Sequence, residues 1–494
     1  MIGKNSFWYN ISMFRKTRQD NHPNLLFPRL SPWEQEFTVD AAAILLFWSL
    51  LLLLPLQLFL NFGLVLLVVF LVVAFIFKLE LLFYILTTVT FFTGWEISFS
   101  KYEWARNIVY LSSVNAPLGD FIGVLLFGLS FLAIIFGRLH PVWKQKKILI
   151  KLSTLYGLFL IWSFVCALLA VDHNWISSLK YLLRNMIFVY LVFVVMPVVL
   201  IDKLETVKNI LKIWFGVGLL AALFGFSSLY FFAQSGWPRV TPYGIAGFAP
   251  LGYNHNLIAE MLVVVLPAGL YLFLKTKNKK QKQWYFLGLI MTLLAALLTL
   301  SRAAWLTIFA QAAVLFVVYF SEIKFRLKKI TNLNFYLILV VTAIFGYMIF
   351  FLTSPIVQSS TSSRFAMTDI SFFLANRSPI HGYGPGMFVE LLGSVRDWTQ
   401  EYGDALDAHG IIQKIIVEDG YVGLILICIF LIYLFKKLWL VYRLSDDKEL
   451  YMILFMSVVG AVIFQFFNTS YFTSVMWLPI GLALSAATFL KKDL

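Results

Sequence analysis

Three arginines and one histidine are the residues whose types and positions indicate binding and transfer chemistry. Arg239 and Arg377 stand in loops between long apolar runs, and Arg302 lies between two apolar runs that are joined by almost no loop. A guanidinium group binds phosphate or diphosphate through two parallel hydrogen bonds, and it does so best where water is partly excluded. His409 is a candidate for orienting or deprotonating an attacking hydroxyl group. Together they predict a site for a substrate that carries a diphosphate.

Four further polar residues are weaker candidates for the same site. Arg364 and Gln413 lie in the same long polar segment as His409, whereas Glu260 lies inside an apolar run, one helical turn beyond Asn256. An ionisable side chain inside an apolar run is costly, and it often marks a functional position. We therefore include these four residues in the candidate site.

Each candidate also has a purely structural interpretation, which the residues alone leave open. Arg239 would extend to the headgroup level of a membrane, and Arg302 would form an ion pair with Glu260. Glu260 would equally serve to join two helices. A histidine in a loop, such as His381 or His409, is usually an ordinary surface residue.

Several classes of site have no support in the sequence. No zinc-protease, nucleotide-binding or serine-hydrolase motif occurs in a suitable context. Cys166 and Cys428 both lie within apolar runs and are expected to be packing residues, which argues against a disulfide framework or a cysteine metal site. We predict neither a cofactor nor a metal.

The composition excludes a soluble enzyme. Of 494 residues, 61% are hydrophobic and 13% are charged, and the apolar runs are long enough to cross a hydrocarbon core about 30 Å thick. The predicted fold class is all-α, a polytopic transmembrane bundle of twelve to fourteen spans with a large, partly helical outer loop. The predicted spans start near Ala41, Asn61, Leu79, Asp120, Leu152, Met186, Leu211, Asn254, Tyr285, Ala303, Phe335, Gly420, Glu449 and Phe472.

The basic residues orient these spans, because Lys and Arg in short loops stay on the cytoplasmic side. Both termini are then cytoplasmic, and the net charge of +14 reflects topology, so no nucleic acid partner is predicted. All but ten of the 39 basic residues fall inside; the outer ones are Lys101, Arg106, Lys180, Arg184, Arg239, Arg302, Arg364, Arg377, Arg396 and Lys414. The candidate site therefore faces outward.

The large outer loop is predicted to contain two helices. Ser362 or Ser363 would cap a helix that runs to Ala375. A second helix would run from Asp404 to Glu418 and place His409 and Gln413 on one face. A long ordered loop usually carries function.

Four segments resemble the O-antigen ligases and the related Wzy-type polysaccharide polymerases, in the order in which that family has them. Gly252 to Ala259 resembles the asparagine-rich opening of a span, and Thr299 to Trp305 the serine–arginine turn. Ser378 to Gly386 resembles the proline and glycine stretch of the large loop. The fourth segment joins Ala408 and His409 to the glutamate–x–glycine start of the next span at Glu418. The departures are Ala303, Met387 and Gly410, where the family commonly has glycine, asparagine and asparagine.

The resemblance implies a membrane-embedded glycosyltransferase of the C type, metal-independent and inverting. Its donor would be a glycan linked to undecaprenyl diphosphate, and its acceptor lipid A-core or another lipid-linked glycan. Membrane lipids would surround it in the bacterial inner membrane. The expected segments are 1–40, a cytoplasmic segment; 41–233, the first helices; 234–353, the helices with the family motifs; 354–419, the outer loop; and 420–494, the last helices.

On this basis the sequence predicts a glycan ligase or polymerase. Arg239, Arg302 and Arg377 would bind the donor diphosphate, and His409 would act on the acceptor hydroxyl. Two other classes stay open. One is a transporter or flippase of an anionic or lipid-linked substrate, although only Glu260 is charged near the middle of a span. The other is a membrane scaffold without catalysis.

Overall fold

The fold is taken from a computed structural model. It describes residues 79–98, 115–135, 147–170, 175–231, 239–244, 249–326, 355–468 and 472–490, with the single residues 346 and 352. All of them belong to one compact unit, Phe77–Leu494. The predicted spans starting near Ala41, Asn61 and Phe335 lie outside the described residues.

The described part of the chain is helical, as predicted, with one short antiparallel pairing of strands. Strand β1 (Glu96–Ser98) pairs with β2 (Asn115–Pro117) so that Glu96 lies opposite Pro117. The helices are α1 (Leu79–Val89), α2 (Leu118–Ile135), α3 (Lys147–Leu169), α4 (Trp175–Leu200), α5 (Leu204–Phe231), α6 (His255–Lys275), α7 (Lys279–Leu298), α8 (Arg302–Arg326), α9 (Pro355–Arg377), α10 (Phe388–Ser394), α11 (Arg396–Tyr402), α12 (Ile411–Glu418), α13 (Gly420–Leu444), α14 (Lys448–Gln465) and α15 (Ser474–Ala487).

Eight of the described helices are long and apolar enough to cross a membrane: α2, α3, α4, α5, α6, α8, α13 and α14. This confirms a polytopic all-α membrane protein. Helices α6 and α14 are mostly buried, 72% and 83% of their spanning windows, so they form the centre of the bundle. The wide apolar faces of α2, α3, α8 and α13 lie on its periphery, where lipid would contact them.

Most predicted span starts agree with the observed helices because polar caps and apolar runs are local signals. Asn254 caps α6 by accepting a hydrogen bond from the Asn256 backbone N–H at 2.9 Å, and Asp447 caps α14 through the Leu450 N–H at 3.3 Å. The start near Met186 is wrong, since α4 already begins at Trp175. Its first three turns carry polar side chains, which hydropathy assigns to a loop.

Helix α4 is irregular where it packs on α15. It contains π-helical stretches at Leu182–Phe188 and Leu191–Val195. Any side chain at Gly481 would meet the Phe193 carbonyl oxygen at 2.1 Å, so only glycine permits this close approach. Local departures from α-helical geometry of this kind often lie near functional sites.

The bundle has two polar ends. At one end Lys275, at the last turn of α6, forms ion pairs with Asp447 at 2.9 Å and Glu449 at 3.0 Å. At the opposite end the backbone N–H of Gly94 donates to the Pro250 carbonyl at 3.1 Å, which joins the β1 segment to the start of α6. The starts of α8 and α13 belong to this second end, which holds the candidate site.

The outer loop contains more helix than predicted before residue 403 and less between residues 404 and 410. The first predicted helix is longer, since α9 already begins at Pro355, and α10 and α11 were not predicted. The prediction of a helix from Asp404 is wrong. Gly403 ends α11 with a φ of 81°, residues 403–410 have no regular structure, and α12 begins only at Ile411. His409 therefore lies in the segment that leads into α12, and it shares no helical face with Gln413.

Candidate active site

Arg239 is held at the site end by the backbone around it. The Val240 N–H donates to the Leu298 carbonyl at the end of α7, at 2.8 Å. The Thr241 N–H donates to the Ser228 hydroxyl on α5 at 3.0 Å. Partial burial lowers the pKa of Arg239 from its usual value, which disfavours a bare cation there. Arg239 thus lies beside the junction of α7 and α8.

Arg302 is the first residue of α8, and a sharp turn places it there. Leu300 adopts a φ of 55°, a conformation that costs a β-carbon-bearing residue about 1 kcal/mol or more. Burial of the Leu300 side chain against Val357 and Trp305 offsets that cost. The Arg302 Nη1 donates to the Thr361 hydroxyl on α9 at 2.8 Å. This contact joins the membrane helix α8 to the outer-loop helix α9.

Asn256 belongs to the same junction. Its side-chain Oδ1 accepts a hydrogen bond from the Ser301 hydroxyl at 2.9 Å, so the start of α6 is tied to the start of α8. The structure therefore gives Asn256 a positioning contact next to Arg302. Glu260, one turn deeper and 2% exposed, accepts hydrogen bonds from Gln465 at 2.6 Å and Asn468 at 3.4 Å. These contacts join α6 to the end of α14, as the structural interpretation of Glu260 expected.

Arg364 lies on α9 one turn after Thr361. It is close enough to Arg302 for the two positive charges to repel each other. Burial, followed by repulsion from Arg302, lowers the pKa of Arg364 to about 10. Its Nε is buried and has no hydrogen-bond partner among the described residues. A buried, unpaired guanidinium N–H is costly, and an anionic ligand would satisfy it.

His409 lies close enough to both arginines for their charges to act on its ring. Burial, with the charge of Arg364 and a smaller effect of Arg302, lowers the pKa of His409 to about 4, while Asp407 acts in the opposite direction. The ring is therefore neutral at pH 7 and able to accept a proton. Its Nδ1 is buried and has no hydrogen-bond partner within the described part of the chain.

Two other polar residues, Gln413 and His255, lie near these side chains. The Gln413 amide, on the first turn of α12, donates to the Thr368 hydroxyl on α9, and its Oε1 has no partner among the described residues. His255, at the start of α6, lies where the charges of Arg239 and Arg364 both act on it. Sequence reasoning missed His255, although its position between Asn254 and Asn256 in the family-like segment was an available signal. We call Arg239, His255, Arg302, Arg364 and His409 the outer cluster.

The structure does not bring Arg377 into the outer cluster. It ends α9, about 20 Å along the helix from Arg364, and is exposed, with its guanidinium 4.3 Å from the centre of the Phe373 ring. His381 is also separate, since its Nδ1 lies 2.8 Å from the Gly382 carbonyl oxygen. A role of Arg377 in the same diphosphate site stays a prediction, and the geometry gives it no support.

Part of the chain that forms the outer cluster matches a known protein family. Residues 286–428 match the family model described as O-antigen ligase. This segment is similar to the O-antigen ligase family, and we call it the O-antigen ligase domain. It includes Arg302, Arg364, Arg377, His409 and Gln413, and it confirms the resemblance that the motifs indicated. The match supports glycan transfer at a membrane as the general function. No curated protein matches the chain.

Within the O-antigen ligase domain, the glycine-rich segment has a structural role. Gly382, Gly384 and Gly386 all have positive φ values, of 62°, 96° and 80°. The Tyr383 N–H donates to the Val417 carbonyl at 2.9 Å, and that of Gly384 to the Glu418 carbonyl at 2.8 Å. These backbone N–H groups are used in holding α12, so they are not available to a phosphate.

The O-antigen ligase domain presents cations rather than carboxylate clusters at the site end. In the described ranges, no group of three His, Cys, Asp or Glu side chains is arranged to hold a metal ion. The chemistry that the outer cluster itself offers is anion binding by guanidinium groups beside a neutral imidazole.

Proposed function

We propose that this protein is an O-antigen ligase or polysaccharide polymerase. It moves a glycan from an undecaprenyl-diphosphate donor to a sugar hydroxyl of lipid A-core or of another lipid-linked glycan. The observation that carries the proposal is the outer cluster, where Arg302 and Arg364 repel each other beside a neutral His409. A diphosphate would relieve that repulsion and accept a hydrogen bond from the buried Nε of Arg364.

The arginines bind the donor and stabilise its departure. Arg302 and Arg364, with Arg239 from the segment after α5, lie around the place where the diphosphate headgroup would sit. Charge builds up on the phosphate oxygen as the bond to the anomeric carbon breaks, and preorganised cations stabilise that charge. The polyprenyl chain would extend along the apolar helices, so the reaction takes place at the end of the bundle.

His409 acts on the acceptor. Its neutral ring accepts the proton of the acceptor hydroxyl while the hydroxyl oxygen bonds to the anomeric carbon and the carbon–phosphate oxygen bond breaks. The departing group is undecaprenyl diphosphate. Attack opposite the leaving group inverts the configuration of the sugar. The arginines provide the charge stabilisation, so the proposed reaction needs no metal ion.

The function is tested with purified protein in detergent or vesicles. With a lipid-diphosphate-linked glycan and a lipid A-core acceptor, we expect acceptor-linked glycan and free undecaprenyl diphosphate, measured by gel shift and mass spectrometry. Product on a second lipid-linked glycan instead would assign the polymerase activity. Movement of the donor across a vesicle membrane with no new glycosidic bond would contradict the proposal and favour a flippase.

Metal independence is a separate prediction. We expect the rate of glycan transfer to stay within about twofold of its starting value after exhaustive treatment with a chelator, because arginines take the place of a cation at the diphosphate. A known metal-dependent glycosyltransferase treated in parallel controls for complete removal. Loss of transfer that one particular divalent ion restores would contradict this prediction.

The active face is predicted to be the outer face of the bacterial inner membrane. A reporter that works only outside the cytoplasm should be active when inserted after Ser394, an exposed residue at the end of α10, and silent when fused after Leu494. The reason is the excess of Lys and Arg in the loops and termini assigned to the cytoplasmic side, which leaves the loop containing Ser394 outside. The reverse pattern would place the outer cluster in the cytoplasm, and the donor would have to be reached from that side.

A further inference from the structure

Lys414 is a buried lysine that lies next to the outer cluster without belonging to it. Its side chain, on the first turn of α12, is 1% exposed. The Lys414 Nζ lies 2.9 and 3.1 Å from the two carboxylate oxygens of Asp407, and 2.9 Å from the Glu418 Oε1. It also lies 4.9 Å from the centre of the Tyr181 ring on α4. One ammonium group thus contacts three separate parts of the chain.

The contact with Asp407 leads directly to His409. The Asp407 Oδ1 accepts the backbone N–H of Ala408 at 2.9 Å, in addition to the lysine. Ala408 is fully buried and immediately precedes His409. Residues 403–410 have no regular structure. The Gly410 carbonyl accepts the Lys414 N–H at 3.2 Å as α12 begins, but residues 404–409, which include His409, lie outside any helix or strand and lack the regular hydrogen bonds of those elements. The Asp407 carboxylate supplies a local restraint in their place.

The contact with Glu418 connects Lys414 to the rest of the domain. Glu418 is 2% exposed, and its Oε1 accepts the backbone N–H of Phe388, at the start of α10, at 3.1 Å. The Gly384 N–H donates to the Glu418 carbonyl. Through Lys414, the segment that carries His409 is therefore fastened to α12 and to the glycine-rich segment.

Stability alone does not account for a lysine here. Burying the Lys414 ammonium and the Glu418 carboxylate costs several kcal/mol per ion before their attraction is counted, and apolar side chains of similar volume often stabilise a fold at least as well. What ionic contacts add is direction. We propose that Lys414 and Asp407 are positioning residues that hold His409 in its reactive orientation toward the acceptor. This inference rests on the proposed function.

The charged groups facing His409 agree with this arrangement. Arg364 on α9 and Arg302 on α8 disfavour the protonated ring, and Asp407 favours it. Asp407 is thus the acidic group acting on His409 among the described residues, and Lys414 determines where that group lies. A shift of about 1 Å in a reacting group lowers a rate by about 10²-fold.

The test is a double-mutant cycle in full-length protein. Lys414→Met and Asp407→Asn are each made in the wild-type and in the His409→Ala background, which with the two parent proteins gives six proteins. Transfer rate, donor affinity and thermal melting are measured for all six proteins. In the wild-type background we expect each change to lower transfer by about 10²-fold and to leave donor affinity within about twofold. In the His409→Ala background neither change should lower transfer further, because residues that act through one group are not additive.

Controls separate positioning from folding. Asp404→Asn, at an exposed acidic residue of the same segment, should leave transfer unchanged, and Lys414→Arg should retain more transfer than Lys414→Met. Loss of donor binding and melting temperature in both Lys414→Met and Asp407→Asn would overturn the inference in favour of a structural role. The inference would also be overturned if His409→Ala lowered transfer and Lys414→Met or Asp407→Asn lowered it further by the same factor as in the wild-type background. That result would leave the proposed function intact. Full transfer by His409→Ala would instead refute the role of His409 itself.

Discussion

Replacing His409 with alanine is expected to lower the rate of glycan transfer by about 10²-fold or more while donor affinity is unchanged. A positioned general base contributes on this scale. The neutral ring lies near Arg364 and Arg302. In the proposed reaction it takes the proton of the sugar hydroxyl and does not bind the diphosphate, so its loss should leave donor affinity unchanged. The measurement is transfer rate and donor binding at matched expression, with folding checked by thermal melting.

The pH dependence of the wild-type protein provides a second check on His409. The pKa of His409 is lowered to about 4, so the base is in its active, unprotonated form above that value. Transfer should be constant from pH 8 to about pH 5 and fall as pH decreases through about 4. His381→Ala is the matched control, because that ring contacts the Gly382 carbonyl outside the outer cluster. Wild-type transfer by His409→Ala would remove the residue from the mechanism.

Replacing Arg302 with alanine is expected to weaken both donor binding and transfer, each by about 10²-fold. Its partner, the diphosphate, is present in the ground state and in the transition state, so both quantities depend on it. A charge-assisted, bidentate contact has about the strength needed for such a loss. Arg302→Lys should restore only part of it, since an ammonium group cannot form the paired hydrogen bonds of a guanidinium.

The control for Arg302 is Arg396→Ala, at an exposed arginine that begins α11. Arg396→Ala also removes one positive charge, but from an outer-loop position away from the outer cluster, so it should change donor affinity by less than about twofold. If Arg302→Ala unfolds the protein, the contact with Thr361 and the alternative pairing with Glu260 become the better explanation. Tight donor binding by a folded Arg302→Ala protein would contradict the proposed donor site.

The sequence was informative about features that depend on neighbouring residues. Apolar runs of membrane length indicated the helices, and caps such as Asn254 marked their starts. The arginine and histidine types indicated anion binding and proton transfer. Motifs between Thr299 and Glu418 indicated the family, which the match over residues 286–428 confirms.

The sequence misled where local preference and tertiary contacts disagree. Residues 404–410 were predicted to be helical, but Gly403 at a φ of 81° ends α11, and Asp407 bonds to Ala408 and Lys414 instead of starting a helix. Lys414 was counted among the outer cations that indicate topology, yet it is buried and ion-paired.

By itself, therefore, the sequence determined that this is a helical membrane protein with arginines and a histidine whose types suit anion binding and proton transfer. Only the tertiary structure decided which of them meet. Arg302 and Arg364 come together because α8 contacts α9 through Thr361, whereas Arg377 lies at the far end of α9, exposed and against the Phe373 ring. The charge of Arg364 acts on both His255 and His409, which belong to segments more than 150 residues apart. Such meetings depend on packing between distant segments, which no local pattern of side chains encodes.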